Sequence, residues 1–350
     1  MKSVTINELV PGMILGEDIL YEDEILYPKN TVLNEVVIKG LARYSIENAI
    51  VKEEIDLAAT HNERVRFNDD FKLFAEKHSK NLFVYKRLMQ NFINKKQQIP
   101  DSTLLAIYKD MASTYSYGSE LLDFLYNLVP NEDELTYTHC LNSALLAGTF
   151  ADWITMPKPQ AEQLILSCFY YDIGKLNLPY EILWKAGKLT EEEFTLVKKH
   201  PVIGYALIKQ TTLDERIKNA VIMHHERMDG TGYPYHMKGN HIDLYARYIA
   251  IIDTYIAMAS PRSYREALTP LQILGYFERN MKDYDTELLL PLMKRIGDAQ
   301  IGTTVQLSDD SVWEVVIIHP ANKSRPILKN DNSEVMDLLE HPELQIVKSL

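Results

Sequence analysis

The chain has 350 residues, enough for two compact units or one large unit with small attachments. Its 46% apolar and 25% charged content describe a globular protein with ample core. The net charge of -12 argues against a nucleic-acid polymer as partner, because phosphate backbones are held by an excess of Lys and Arg. A small anionic ligand held by a few local cations or a metal stays open. No run nears the roughly 18–20 apolar residues of a membrane helix. The opening MKSVTINELVPGM has no signal core. With Cys140 and Cys168 as the only cysteines, a disulfide framework is excluded and a reduced, cytoplasmic setting fits.

Residues 1–60 read as a small α/β unit of regulatory or packing role. Strands are expected at Met13–Leu20, Glu24–Tyr27, Thr31–Leu33 and Asn48–Lys52, with a short helix at Glu35–Tyr44. From residue 63 the pattern turns helical. Phe67, Phe71, Phe74, Tyr85, Met89 and Phe92 mark one face of a long connecting helix, assigned to residues 61–104, that Pro100 ends. A second run carries Leu104, Ile107, Met111, Tyr115, Leu122 and Leu125 on one face. Both stripes read as core. Helices continue through residues 105–298. Thr190 with Glu193 makes a capping box before a helix expected to stop at His200-Pro201, and Thr269-Pro270 opens another. Residues 299–350 form a small β tail, with strands expected at Thr303–Leu307, Val312–Ile318 and Leu344–Val347. The fold class is mainly α.

Several polar residues interrupt apolar helical segments. His139 lies in YTHCLNSALLAG, with Asn142 one turn on. Asp172 ends LILSCFYYDIGK, where an unpaired buried carboxylate costs several kcal/mol. Lys175 at i+3 or a metal could meet it. His224 and His225 are adjacent in AVIMHHERMDGTGYP and precede Glu226 and a glycine-rich loop. His200 sits at a helix end beside Pro201, and Asp253 is set in IAIIDTYIAMA. Four imidazoles and two carboxylates suit iron, manganese or zinc, and a carboxylate that bridges two ions is a common way to build a dinuclear site. The plainer reading is that these groups pair with one another.

In this order the residues resemble the HD-GYP family of bacterial cyclic di-GMP phosphodiesterases, a branch of the HD superfamily of metal phosphohydrolases. The resemblance spans about residues 105–298. It is carried by HHERMDGTGYP from His224 to Pro234, by Lys175 in DIGK, by His200 with Gly204, by Arg247 in YARYIAIID and by SPRSYREAL from Ser260. It implies an all-helical HD-type bundle holding two divalent transition-metal ions, iron or manganese first, with zinc or nickel as alternatives. His139, Asp172 and Asp253 would hold one ion. Asp172 would bridge to a second ion held by His200, His224 and His225. By the same resemblance, Asp172 and Lys175 are the catalytic pair. Lys175 would steady the scissile phosphate, Arg262 and Arg265 would grip the other phosphate or the bases, and Gly232, Tyr233 and Pro234 would shape the pocket wall. The implied reaction is hydrolysis of cyclic di-GMP to linear pGpG, with pGpG or GMP as the end product left open. A homodimer or a signalling-protein partner is compatible with this; a membrane is not expected.

Three positions depart from the family pattern. Tyr171-Asp172 stands where relatives carry the HD pair, so the first ion loses an imidazole, and a phenol with a reference pKa near 10 is a poor replacement. Ile256 stands where relatives usually carry a second Asp. Leu135 stands where some place a Glu for a third ion. A degenerate module that binds cyclic di-GMP or a protein without turnover is therefore the alternative, and an HD hydrolase of another nucleotide or phosphate ester is a third reading.

Overall fold

The computed structural model describes residues 1–21, 24–44, 46–53, 60–129, 131, 134–183, 185, 187–261 and 267–350. They divide into two compact units, Met1–Asp69 and Asp70–Leu350. Among the described residues no helix is long and apolar enough to cross a membrane.

The first unit runs β1 (Lys2–Thr5), β2 (Ile19–Tyr21), β3 (Glu24–Tyr27), α1 (Glu35–Arg43), β4 (Asn48–Val51) and α2 (His61–Phe67). β1 pairs antiparallel with β4, and β2 pairs with β3. Helix α1 starts at Asn34, whose side-chain oxygen accepts the Val36 and Val37 amides, each at 3.0 Å. Leu15, Leu33 and Leu41 fill the core. The strand expected at Met13–Leu20 is mostly absent, because the chain bends at Gly16-Glu17. Ile14 and Leu15 instead make single bridges to Val32 and Val51, and Val32 makes no strand of its own.

In the second unit the expected continuous stripes are interrupted. Asn68 is extended, so α3 (Asp69–Lys95) begins afresh after α2. It stops at Lys96, whose φ of 56° lies in the left-handed region, short of Pro100. The run expected through Leu104–Leu125 is two helices, α4 (Asp101–Ala112) and α5 (Gly118–Asn127), and Tyr115 lies in the turn between them. The next helix, α6 (Leu135–Trp153), is buried all round from Tyr137 to Ala151 and forms the axis of the bundle. Around it lie α7 (Lys158–Tyr170), α8 (Tyr180–Leu183), α9 (Glu191–Val197), α10 (His200–Ile208), α11 (Glu215–Met223), α12 (Leu244–Ala259), α13 (Pro270–Arg279) and α14 (Thr286–Asp298). Helices α7 and α12 pack directly on α6, and α11 packs on both of them.

Pro201 does not stop a helix. Helix α9 ends at Val197, and His200-Pro201 opens α10, where the missing proline N–H costs no hydrogen bond. The tail is one antiparallel sheet of order β8-β7-β6-β5-β9, built from β5 (Thr304–Leu307), β6 (Val312–Ile317), β7 (Ile327–Lys329), β8 (Val335–Asp337) and β9 (Ile346–Ser349). β7 and β8 are three residues each, too short to show alternation. Arg325 ties the tail together by donating to the carbonyls of Leu338, His341 and Leu344 at 2.8, 2.7 and 3.0 Å.

One buried polar pair crosses the bundle: His78 Nε2 on α3 lies 2.8 Å from Asn142 Oδ1 on α6. Burial pushes the His78 imidazole down to about 4. Between about pH 6.5 and 4 the unfolded chain therefore binds a proton that the fold refuses. Stability is expected to fall as pH drops through that window, by roughly 3 kcal/mol at most from this group. Urea denaturation of the native chain and of His78→Gln, at pH 7.5 and pH 4.5, checks it. The acid loss should be smaller in the variant, and an equal loss in both assigns the effect elsewhere.

Candidate metal centre

The polar residues singled out along the sequence come from five helical segments and converge. His139 projects from α6 and Asp253 from α12, both within regular helix. Asp172 follows Tyr171, the C-cap of α7, and leads into a 3-10 turn at Ile173–Asn177. His200 is the first residue of α10, and His224 is the C-cap of α11. His224 and His225 have thus left the regular helix. The 100° step between helical neighbours no longer separates them, and their ring centroids lie 4.2 Å apart. Gly174 allows the Asp172 turn to seat against α10, since a Cβ there would overlap the His200 carbonyl oxygen.

Asp172 is the junction. Its Oδ1 lies 3.2 Å from His200 Nε2 and 3.7 Å from His224 Nε2. Its Oδ2 lies 2.7 Å from Lys175 Nζ and 3.9 Å from His139 Nε2. Burial alone would push this carboxyl up, but the Lys175 ammonium beside it overrules burial and holds it well below the usual carboxylate range.

The ring tautomers decide what the cluster can do. His200 Nδ1 lies 2.7 Å from the Val197 carbonyl, and His224 Nδ1 lies 2.9 Å from the Val221 carbonyl. A carbonyl only accepts, so in each neutral ring the proton sits on Nδ1 and Nε2 carries a lone pair. Burial keeps His200 below its ordinary value, hence neutral. The two Nε2 atoms nevertheless face each other at 3.1 Å, and Asp172 Oδ1 beside them has no well-aligned donor although it is buried. Three potential ligand atoms directed at one point fit a cation. Two nitrogens bound about 2.1 Å from one ion at a right angle would be about 3 Å apart. His225, held below its ordinary value by burial and then by His224, completes the set. Ligand atoms of Asp172, His200, His224 and His225 all lie within 4.8 Å of one another, as do those of His139, Asp172 and Asp253. The donor chemistry fits a divalent metal.

The second trio is differently prepared. His139 Nε2 lies 2.7 Å from Asp253 Oδ1, and His139 Nδ1 is buried without a hydrogen-bond partner. The Tyr171 hydroxyl lies 3.0 Å from Ser143 Oγ and 3.4 Å from the same Asp253 oxygen. Burial, then Asp253 and Asp172, raise the phenol well above its ordinary value, so it is a neutral hydroxyl. Ile256, one turn beyond Asp253, is buried in packing.

Glu226 fixes the glycine-rich loop. Its buried carboxylate accepts the Tyr235 and Met237 amides at 2.7 and 2.9 Å. Gly232 lies so close to the 225–227 backbone that a Cβ would overlap it. The Tyr233 ring then stacks on His225 at 4.6 Å, and Pro234 follows through a cis peptide bond. Lys175, His225 and Tyr233 are partly exposed while Asp172, His200 and His224 are buried, so the centre opens to solvent on the loop side. Arg262 and Arg265 lie outside the described residues. Ser143 was not legible as a site residue, although it stands one turn from His139; a Ser among the small residues of α6 reads as packing.

A family model described as HD domain matches residues 123–288. The chain is 32% identical over 223 residues to the cyclic di-GMP phosphodiesterase PA4108 of Pseudomonas aeruginosa, which covers 62% of this chain and 52% of that protein. It is 33% identical over 159 residues to the cyclic di-GMP phosphodiesterase response regulator RpfG of Xanthomonas campestris pv. campestris, over 45% of this chain and 42% of that one. Residues 123–288 of the helical unit thus match an HD domain. Bd1817, an HDGYP-type protein of Bdellovibrio bacteriovorus, shares the fold at a TM-score of 0.50 and 14% identity, over 84% of this chain and 99% of that one. The chain spans about half the length of the curated relatives it matches.

Gly174 gives the helical unit a direct test of its packing. Gly174→Ala is expected to lower stability by about 1–3 kcal/mol, because the clash is with backbone and cannot be relieved by a rotamer. Urea denaturation reads the loss. Unchanged stability would mean that the Asp172 turn and α10 are not held in this contact.

Proposed function

We propose that the protein is a metal-dependent phosphodiesterase that hydrolyses cyclic di-GMP to linear pGpG, with further cleavage to GMP as the alternative end point. The observation that carries the reading is the cluster of unprotonated Nε2 atoms and carboxylate oxygens around Asp172, opening beside Lys175 and the Tyr233 loop. Two divalent ions, iron or manganese first and zinc or nickel as alternatives, would be held by His139, Asp172 and Asp253 on one side and by Asp172, His200, His224 and His225 on the other. Asp172 has one oxygen toward each group and is placed to bridge them. The ions, when bound, supply an activated water and neutralise phosphoryl oxygens.

The chain's own residues set the geometry of attack. Lys175 is partly exposed and held by Asp172 at 2.7 Å, so its ammonium is oriented to receive a phosphate oxygen. Water adds to one phosphorus and the P–O3′ bond breaks, giving a linear dinucleotide with a 5′-phosphate and a free 3′-hydroxyl that takes up the proton. Tyr233, stacked on His225, offers a flat wall to a guanine base. Arg262 and Arg265 are assigned to the other phosphate or the bases. The buried free thiols of Cys140 and Cys168 accord with a reducing cytoplasm. A homodimer or a signalling-protein partner accords with the same reading.

Tyr171 favours a second reading, a module that binds the cyclic dinucleotide without turnover. One experiment separates the two: cyclic di-GMP is incubated with the purified full chain and Mn²⁺ or Fe²⁺, and the products are resolved by chromatography. The native chain is expected to release pGpG. Asp172→Ala should be inactive, and Lys175→Ala should be slower by about 10²–10³-fold, the usual effect of removing one aligned electrostatic group. Tight binding with no product, reversed by Tyr171→His, would replace the enzyme reading with the binding module.

A further inference from the structure

The two metal positions are not equally prepared. At the Asp172–His200–His224–His225 position the tautomers are already set, since the backbone carbonyls of Val197 and Val221 hold the Nδ1 protons and leave both Nε2 lone pairs pointing inward. At the His139–Asp172–Asp253 position the opposite holds. His139 Nε2 is hydrogen-bonded to Asp253 Oδ1 at 2.7 Å, which places the ring proton on the atom that would have to bind metal. Moving that proton to Nδ1 leaves it facing no acceptor, because His139 Nδ1 is buried without a partner. An orphaned buried donor costs about 1–3 kcal/mol. Asp253 is also occupied, with the Tyr171 hydroxyl 3.4 Å from the same oxygen. That phenol is anchored 3.0 Å from Ser143 Oγ, and a hydroxyl is a far weaker metal donor than an imidazole.

We propose that the two positions fill in order: an ion binds first and tightly among Asp172, His200, His224 and His225, and a second binds weakly and exchangeably among His139, Asp172 and Asp253, where Tyr171 and Ser143 keep the carboxylate hydrogen-bonded. The proposal rests on the dinuclear reading above and deepens it. Loss of an outer hydrogen bond that orients a ligand usually changes metal affinity by about 10–100-fold, which sets the expected gap. Over a range of free metal the chain then holds one ion. Any step that needs both would follow the weaker position, so activity would report the free metal concentration.

Titration of the metal-free full chain with Mn²⁺ alone tests this, with the electron paramagnetic resonance of the free ion as readout. Two phases separated by at least about tenfold are expected. His224→Ala should remove the tight phase, and His139→Ala should remove the weak phase while leaving the tight one. Tyr171→His supplies the missing imidazole and should narrow the gap. Two ions bound in a single phase by the native chain would overturn the proposal, and so would a weak phase that survives His139→Ala or a second position that stays empty at millimolar Mn²⁺. Failure to bind any Mn²⁺ is a separate result, which overturns the metal-centre reading itself. Absence of cyclic di-GMP hydrolysis with both phases intact overturns only the enzyme reading.

Discussion

The buried carboxylate of Asp172 is the constraint around which the rest of the helical unit is arranged. An ionised carboxyl far from water is costly unless positive charge or aligned donors meet it. Here one ammonium does so directly, while the flanking imidazoles present lone pairs to its other oxygen. The cluster therefore holds the carboxylates of Asp172 and Asp253 against one lysine, Lys175. A divalent ion would more than offset that imbalance and leave the local field positive. In this way a chain with a net charge of -12 can hold a locally positive centre once a metal is bound.

Backbone groups prepare the centre as much as side chains do. The Val197 and Val221 carbonyls are the free acceptors at the end of α9 and along α11, and they fix two imidazoles by position alone. Gly174 removes the Cβ that would otherwise hold α10 away from Asp172. Glu226 performs the corresponding service for the loop, satisfying two amides that have no strand or helix partner and thereby presenting Tyr233 to His225. In each case the residue nearest the chemistry is placed by one that does not touch it.

The ligand set was legible in the sequence because each member violates its surroundings. His139, Asp172, His224 and Asp253 are polar residues in segments whose neighbours are Ile, Leu, Ala and Phe, and burying them without a purpose is expensive. What was not legible lacks such a signature. A backbone acceptor has no residue type, so the tautomers could not be read. Apolar spacing ran unbroken across Asn68 and across Ser113–Tyr117, which hid two helix breaks. Pro201 is compatible with either end of a helix, and only the packing of α10 against the Asp172 turn decides between them. His78 carries no such signature on its amphipathic helix, and only the packing of α6 against it accounts for its burial.

Tyr171 shows why a substitution that weakens one ligand set need not weaken the fold. Its ring is fully buried, and its edge meets the His224 ring with centroids 5.0 Å apart, so the volume is filled. Its hydroxyl finds Ser143, and Asp253 keeps His139, so no carboxylate is left stranded at that position when no ion is there. The other position has no such internal substitute: His200 and His224 direct lone pairs at each other, an arrangement that protein groups alone do not satisfy. Stability and metal binding are thus separated on one side of Asp172 and joined on the other. A chain built this way would lose and regain an ion beside His139 without repacking its core, whereas an ion among His200, His224 and His225 would belong to the folded structure itself.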